Sequence, residues 1–234
     1  MIYNERYECM SSEEMKEVQS QRLVKTVAYV HKNSPFYQKK FAEFGIAPAD
    51  IKTIDDIRKL PFTVKDDLRD GYPFGLFSQP LKNIREIHVS SGTTGNPTVV
   101  GYSKEDIDLW SEVVARCLGC AGAVPGDMIQ IAYGYGLFTG GLGLHYGALA
   151  MGLTVIPCSS GQTKRQLKLM NDFKPRILAC TPSYALFMID DAREMKIDPR
   201  QSSWEIGIFG AEPWSEAMRK EIQELWNMRA TDIY

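Results

Sequence analysis

Long apolar runs are missing from this 234-residue chain, and so is any block of like charge. The stretch 128–163 carries no Asp, Glu, Lys or Arg, but eight glycines and Pro157 break it. Its apolar residues never reach the 18 or so that a spanning helix needs. A net charge of −2 with no Lys/Arg cluster excludes an electrostatic footprint for nucleic acid. The residues before Met10 lack the apolar core of a signal peptide. Five cysteines are odd in number and sparse for a secreted scaffold, so Cys9, Cys117, Cys120, Cys158 and Cys180 read as reduced thiols of a cytoplasmic protein. Cys117 and Cys120 form a C-x-x-C with no second pair, inside a helical pattern, which predicts core packing. His31, His88 and His145 have no metal-ligand spacing.

What is present is a change of texture along the chain. Residues 1–80 read as a helical segment packing on the core. Ser11 and Glu14 make a capping box, and Met15, Val18, Leu23, Val27 and Val30 recur at helical spacing to about Lys32. A second helix is predicted over Pro35–Phe44, stopped by Gly45, and a third over Val64–Arg69, capped by Thr63 and Asp66. Residues 81–234 alternate short β-rich runs with helices. Strands are predicted at Ile84–Val89, Thr98–Gly101, Met128–Ala132, Thr154–Pro157, Arg176–Cys180, Glu205–Phe209 and Thr231–Tyr234. The helix over Lys104–Cys120 is capped by Ser103 and Asp106, with Ile107, Trp110, Val114, Cys117 and Ala121 on its inner face. The fold class that follows is α/β, a mostly parallel sheet with helices on both faces after an N-terminal helical segment. Such sheets hold ligands at the carboxyl ends of their strands. That rule directs attention to 90–97, 133–141 and 210–214.

The first of these is the most specific motif: Ser90, Ser91, Gly92, Thr93, Thr94 and Gly95, followed by Asn96-Pro97. Glycines let a backbone approach an anion with its N–H groups turned inward, and the hydroxyls add donors along a polyphosphate. No Gly-Lys-Ser/Thr follows, so this is not the loop of the P-loop NTPases. A Ser/Gly-rich linker has the same composition. The second stretch, uncharged and rich in glycine, offers the ring faces of Tyr133, Tyr135 and Phe138 and the open space of Gly140 and Gly141 to a flat apolar ligand. A buried strand leading into a Gly-rich helix start needs no ligand at all.

Ser-Ser-Gly-Thr-Thr-Gly with Pro97-Thr98 resembles the phosphate loop of adenylate-forming enzymes. Residues 132–143, the Gly210-Ala211-Glu212-Pro213-Trp214 turn, and the openings Pro35-Phe36-Tyr37 and Leu60-Pro61-Phe62-Thr63 resemble phenylacetate-CoA ligases in particular. The likeness runs through the whole chain and covers about the first half of a family member. It implies an AMP-forming acid–thiol ligase using ATP, Mg²⁺ and coenzyme A, which makes an aryl adenylate and then a CoA thioester. It further implies that Tyr133 and Phe138 line the aryl pocket and that Gly210, Ala211, Glu212 and Pro213 border the adenine. Asp232, Ile233 and Tyr234 resemble the start of another family motif, in which the tyrosine stacks on the adenine. The family's metal glutamate and catalytic lysine are expected beyond Tyr234, so this stretch alone is expected to be inactive.

One departure is Asn96, where the family often has lysine. A lost ammonium would cost about 1–3 kcal/mol of phosphate binding if the contact is direct. The expected partners are a phenylacetate-like acid, ATP and CoA, with neither nucleic acid nor membrane, and a homodimer through an open sheet edge. The alternatives are an adenylating enzyme with a non-CoA acceptor and a non-catalytic nucleotide- or aryl-acid-binding module.

Overall fold

The computed structural model describes residues 1–90, 96–137 and 139–234. The chain forms two compact units, one of Asn4–Asp106 and one of Met1–Tyr3 with Ile107–Tyr234.

The first unit begins with α1 (Glu5–Glu8), α2 (Ser12–Asn33), α3 (Pro35–Glu43) and α4 (Lys65–Asp70), and ends in β1 (Ile84–Val89) and β2 (Val99–Ser103). Local chemistry sets these boundaries. Ser11 Oγ accepts from the Glu14 N–H at 3.2 Å while the Glu14 carboxylate accepts from the Ser11 N–H at 2.7 Å. That is the reciprocal cap expected from the sequence. Pro35 forces Ser34 into an extended conformation, which ends α2, and itself opens α3. The cap of α4 lies one residue later than expected: Val64 precedes the helix, and its N–H donates to Asp67. Val27, Phe41 and Ile51 form the small core of this unit, with Tyr37 and Leu60 packed on it.

The strands β1 and β2 do not join the parallel sheet. They pair antiparallel with each other, Val89 opposite Val99 and His88 opposite Val100. Ser90 therefore follows a strand of an antiparallel pair, outside the parallel sheet.

The second unit contains α5 (Lys104–Ala121, its first turn counted with the other unit), β3 (Met128–Ile131), α6 (Gly140–Met151), β4 (Thr154–Pro157), α7 (Thr163–Phe173), β5 (Ile177–Cys180), α8 (Pro182–Glu194), β6 (Ile206–Phe209), α9 (Glu216–Trp226) and β7 (Arg229–Asp232). All five strands are parallel, in the order β4-β3-β5-β6-β7. From β3 the chain steps one way to β4, then crosses back to β5. A constant right-handed crossover requires that reversal to change the face of the sheet. Accordingly α6 packs with α5 on one face, and α7, α8 and α9 pack on the other. The central strands β5 and β6 are covered on both sides. Ile177 and Ala179 face one core and Leu178 and Cys180 the other, so β5 reads as an unbroken apolar run.

The expectation for Cys117 and Cys120 is overturned. Both are exposed, and the buried stripe of α5 runs through Val114, Ala115, Leu118 and Ala121. A thiol is small enough to sit on either side of an amphipathic helix, so the period alone was a weak guide. Among the described residues no helix is long and apolar enough to cross a membrane.

Candidate functional site

The reversal of direction at β3 opens a crevice at the carboxyl ends of β3 and β5, the place where open α/β sheets bind ligands. Tyr133 follows β3 and spans that crevice. Its hydroxyl donates to the Cys180 carbonyl at 2.6 Å, at the end of β5. Burial pushes this phenol well above its ordinary range. Tyr133 is thus a neutral wall, with its ring alongside Gly140.

On the α5–α6 face lies an apolar cavity of about 350 Å³. Tyr133, Thr139, Gly140, Gly143 and Leu144 line it from the β3–α6 side, Trp110 and Val114 from α5, and Ala211, Ile233 and Tyr234 from the ends of β6 and β7. Of the residues expected at an aryl pocket, Tyr133 and Gly140 are here. Tyr135 and Gly141 are not among the lining residues. The Tyr135 hydroxyl meets His145 Nδ1 at 3.2 Å, and burial pushes its pKa up to about 12. Gly141 lies against the Gly134 carbonyl, where an added β-carbon would stand 2.7 Å from the oxygen. Phe138 lies outside the described residues.

Trp110 and Leu144 were missed by the sequence reading. A signal for the first existed in Gly143 and Gly147, four apart on α6, which allow α5 to approach closely. Trp110 rests on the former and Val114 on the latter.

A second cavity, of about 750 Å³, lies beyond the same strand ends and has Glu212, Glu216, Arg219 and Asp232 among its lining residues. It is bounded by residues 210–214, Glu216 and Arg219 of α9, and Asp232 to Tyr234. Every residue expected to border adenine is therefore gathered here. Gly210 has no room for a side chain, because a β-carbon would stand 2.1 Å from the Ile233 carbonyl oxygen. Ala211 has φ +67°, a left-handed conformation that costs a non-glycine residue about 1–2 kcal/mol. The Asp232 carboxylate accepts from both Trp214 Nε1 and Arg219. Arg219 also donates to the Ala230 carbonyl at 2.8 Å and lies 4.4 Å over the Trp214 ring. These contacts fix the indole as a flat edge of the cavity.

Ala211, Ile233 and Tyr234 line both cavities. An uncharged chamber and one bordered by charged side chains thus share lining residues at the ends of two parallel strands.

Beside the antiparallel pair of the first unit, Ser90 is held in place. Its N–H donates to the Thr98 carbonyl at 3.0 Å, and its Oγ pairs with Thr98 Oγ1 at 2.5 Å. Ser91, Gly92, Thr93, Thr94 and Gly95 lie outside the described residues.

A family profile described as AMP-binding enzyme matches residues 16–234. The chain belongs to that family. Among AMP-binding relatives it is 51% identical over 224 residues to a phenylacetate-coenzyme A ligase of Aromatoleum evansii, covering 96% of this chain and 51% of the relative. It is 48% identical over 234 residues to the phenylacetate-coenzyme A ligase of Thermus thermophilus, covering 100% of this chain and 53% of the relative. The chain thus spans about half the length of the curated relatives it matches. A crystal structure of a 2-hydroxyisobutyryl-CoA ligase in complex with 2-HIB-AMP and CoA superposes with a TM-score of 0.90 at 29% identity, over 95% of this chain and 49% of that one. The mostly parallel sheet is therefore the sheet of the AMP-binding ligases.

Proposed function

We propose that this chain carries the acid-binding and nucleotide-binding chambers of an ATP-dependent ligase, which activates an aryl carboxylate as an acyl-adenylate and passes the acyl group to the thiol of coenzyme A. The supporting observation is the shared lining: an uncharged chamber on Tyr133 and Trp110 meets one bordered by Trp214 and the charged Arg219 and Asp232 at Ala211, Ile233 and Tyr234. An aryl adenylate has the same division, a flat apolar ring at one end and a nucleotide at the other, joined at the reacting carbonyl.

In the first step a carboxylate oxygen attacks the α-phosphorus of ATP, and pyrophosphate leaves. In the second the CoA thiol attacks the acyl carbon, and AMP leaves. The carboxylate is already ionised at neutral pH, so the first step needs positioning and charge compensation more than a general base. Tyr133 suits that requirement, since a phenol held neutral and hydrogen-bonded to Cys180 orients without exchanging protons. Ser90 to Gly95 are proposed to receive the phosphates. Gly210 to Pro213, with Asp232, Ile233 and Tyr234, are proposed to receive the adenine. Among the described residues no group of three His, Cys, Asp or Glu side chains forms a metal cage. Magnesium is proposed to arrive with the nucleotide, where it would offset charge on the phosphates.

The relatives support phenylacetate as the acid, since curated proteins about half identical to the chain are named phenylacetate-coenzyme A ligases. Calorimetric titration with phenylacetate, with ATP–Mg²⁺ and with both together tests the two chambers. The expected result is binding of each, tighter for the second ligand once the first is in place. Binding of neither, by a chain that melts cooperatively, would overturn the assignment.

A further inference from the structure

The proposed adenine turn, Gly210–Pro213, contains a carboxylate where a nucleotide's negative charge would make one unwelcome. The Glu212 side chain is committed elsewhere. Its Oε1 accepts a 2.6 Å hydrogen bond from the backbone N–H of Ser183, in the first turn of α8. The residue in the N-cap position of α8, Thr181, makes no side-chain cap of its own. The helix is therefore capped from a residue 29 positions away, by a carboxylate set against the positive end of the α8 dipole.

This bond falls beside the most strained point of the turn. Ala211 is held at φ +67°, and its neighbour Gly210 is pressed against the Ile233 carbonyl. A left-handed alanine relaxes unless its surroundings hold it. From the opposite side the Trp214–Asp232 bond anchors the segment to β7.

We propose that Glu212 is a positioning residue. By capping α8 it holds Ala211 in the left-handed turn that forms the wall between the two chambers, and it presents the backbone of the turn, not its own charge, to the nucleotide. The proposal rests on the nucleotide reading of the cavity at residues 210–214. Its experiment therefore has one readout that needs no nucleotide.

Glu212→Ala and Glu212→Gln are compared with the wild-type chain by amide hydrogen exchange over residues 210–214 and by calorimetric titration with AMP. The Gln side chain keeps a neutral oxygen acceptor for Ser183. In the Ala variant exchange across the turn is expected to rise and AMP affinity to fall about tenfold, a loss the size of one charge-assisted hydrogen bond. The Gln variant is expected to recover most of both. Unchanged exchange in Glu212→Ala overturns the proposal, whatever happens to AMP. A fall in AMP affinity with unchanged exchange assigns Glu212 to direct ligand contact instead. If the wild-type chain binds no AMP, the nucleotide reading fails, and the exchange comparison still decides whether Glu212 holds the turn.

Discussion

A β-carbon on Gly143 would stand 2.4 Å from the Trp110 indole, so that ring is seated directly on the backbone of α6. The contact joins α5 to α6 and sets one wall of the apolar cavity.

Gly143→Ala must push Trp110 aside. The expected cost is about 1–3 kcal/mol of stability, the usual penalty for overpacking. Trp110→Leu makes room, so the double variant is expected to lose less than the sum of the two single changes. Urea unfolding of the four proteins gives the coupling, and purely additive losses would show that the ring does not rest on Gly143.

Tyr133→Phe removes the donor that satisfies the Cys180 carbonyl and leaves that oxygen buried. Destabilisation of about 1–3 kcal/mol is expected. The ring remains, so phenylacetate binding should survive with little loss. A variant as stable as the parent would argue against this bond.

Tyr135 gives an alkaline signature. Its ordinary pKa of 10.0 is raised to about 12 in the folded chain, first of all by burial. The folded state thus holds its proton more tightly than the unfolded one. Its contribution to stability is complete below pH 10, declines as pH rises above that, and is gone above about 12. Stability curves of the parent and Tyr135→Phe should therefore converge in that window. Parallel curves from pH 9 to 12 would contradict the shift.

The thiols provide a check on the fold. Cys9, Cys117 and Cys120 are exposed, while Cys158 and Cys180 are buried. Burial also raises the pKa of the latter two. A thiol reagent under native conditions should label three cysteines quickly and two only on unfolding. Slow labelling of Cys117 and Cys120 would return them to the core.

Much of the architecture was legible because its causes are local. The caps Ser11–Glu14 and Ser103–Asp106 join residues three apart, and both form. The β5 and β6 segments read as apolar runs because helices cover both faces of the sheet. The 210–214 turn was found as a motif, and its residues do meet around one cavity. The shape of the apolar chamber was less legible. Tyr133 and Gly140 belong to it, but Trp110 arrives from α5, more than twenty residues earlier, and Ile233 from beyond β7.

The sequence alone determined the caps of the long helices, which runs become strands and which loop bears the hydroxyls and glycines, although α4 begins one residue later than expected and β7 forms at Arg229–Asp232 instead of Thr231–Tyr234. These follow from hydrogen bonds and side-chain periods within a few residues of each other. Only the tertiary structure decided that β1 and β2 pair with each other outside the parallel sheet, that Cys117 and Cys120 face outward, and that Glu212 caps α8. Each of those depends on partners brought together by packing, and no local pattern names the partner.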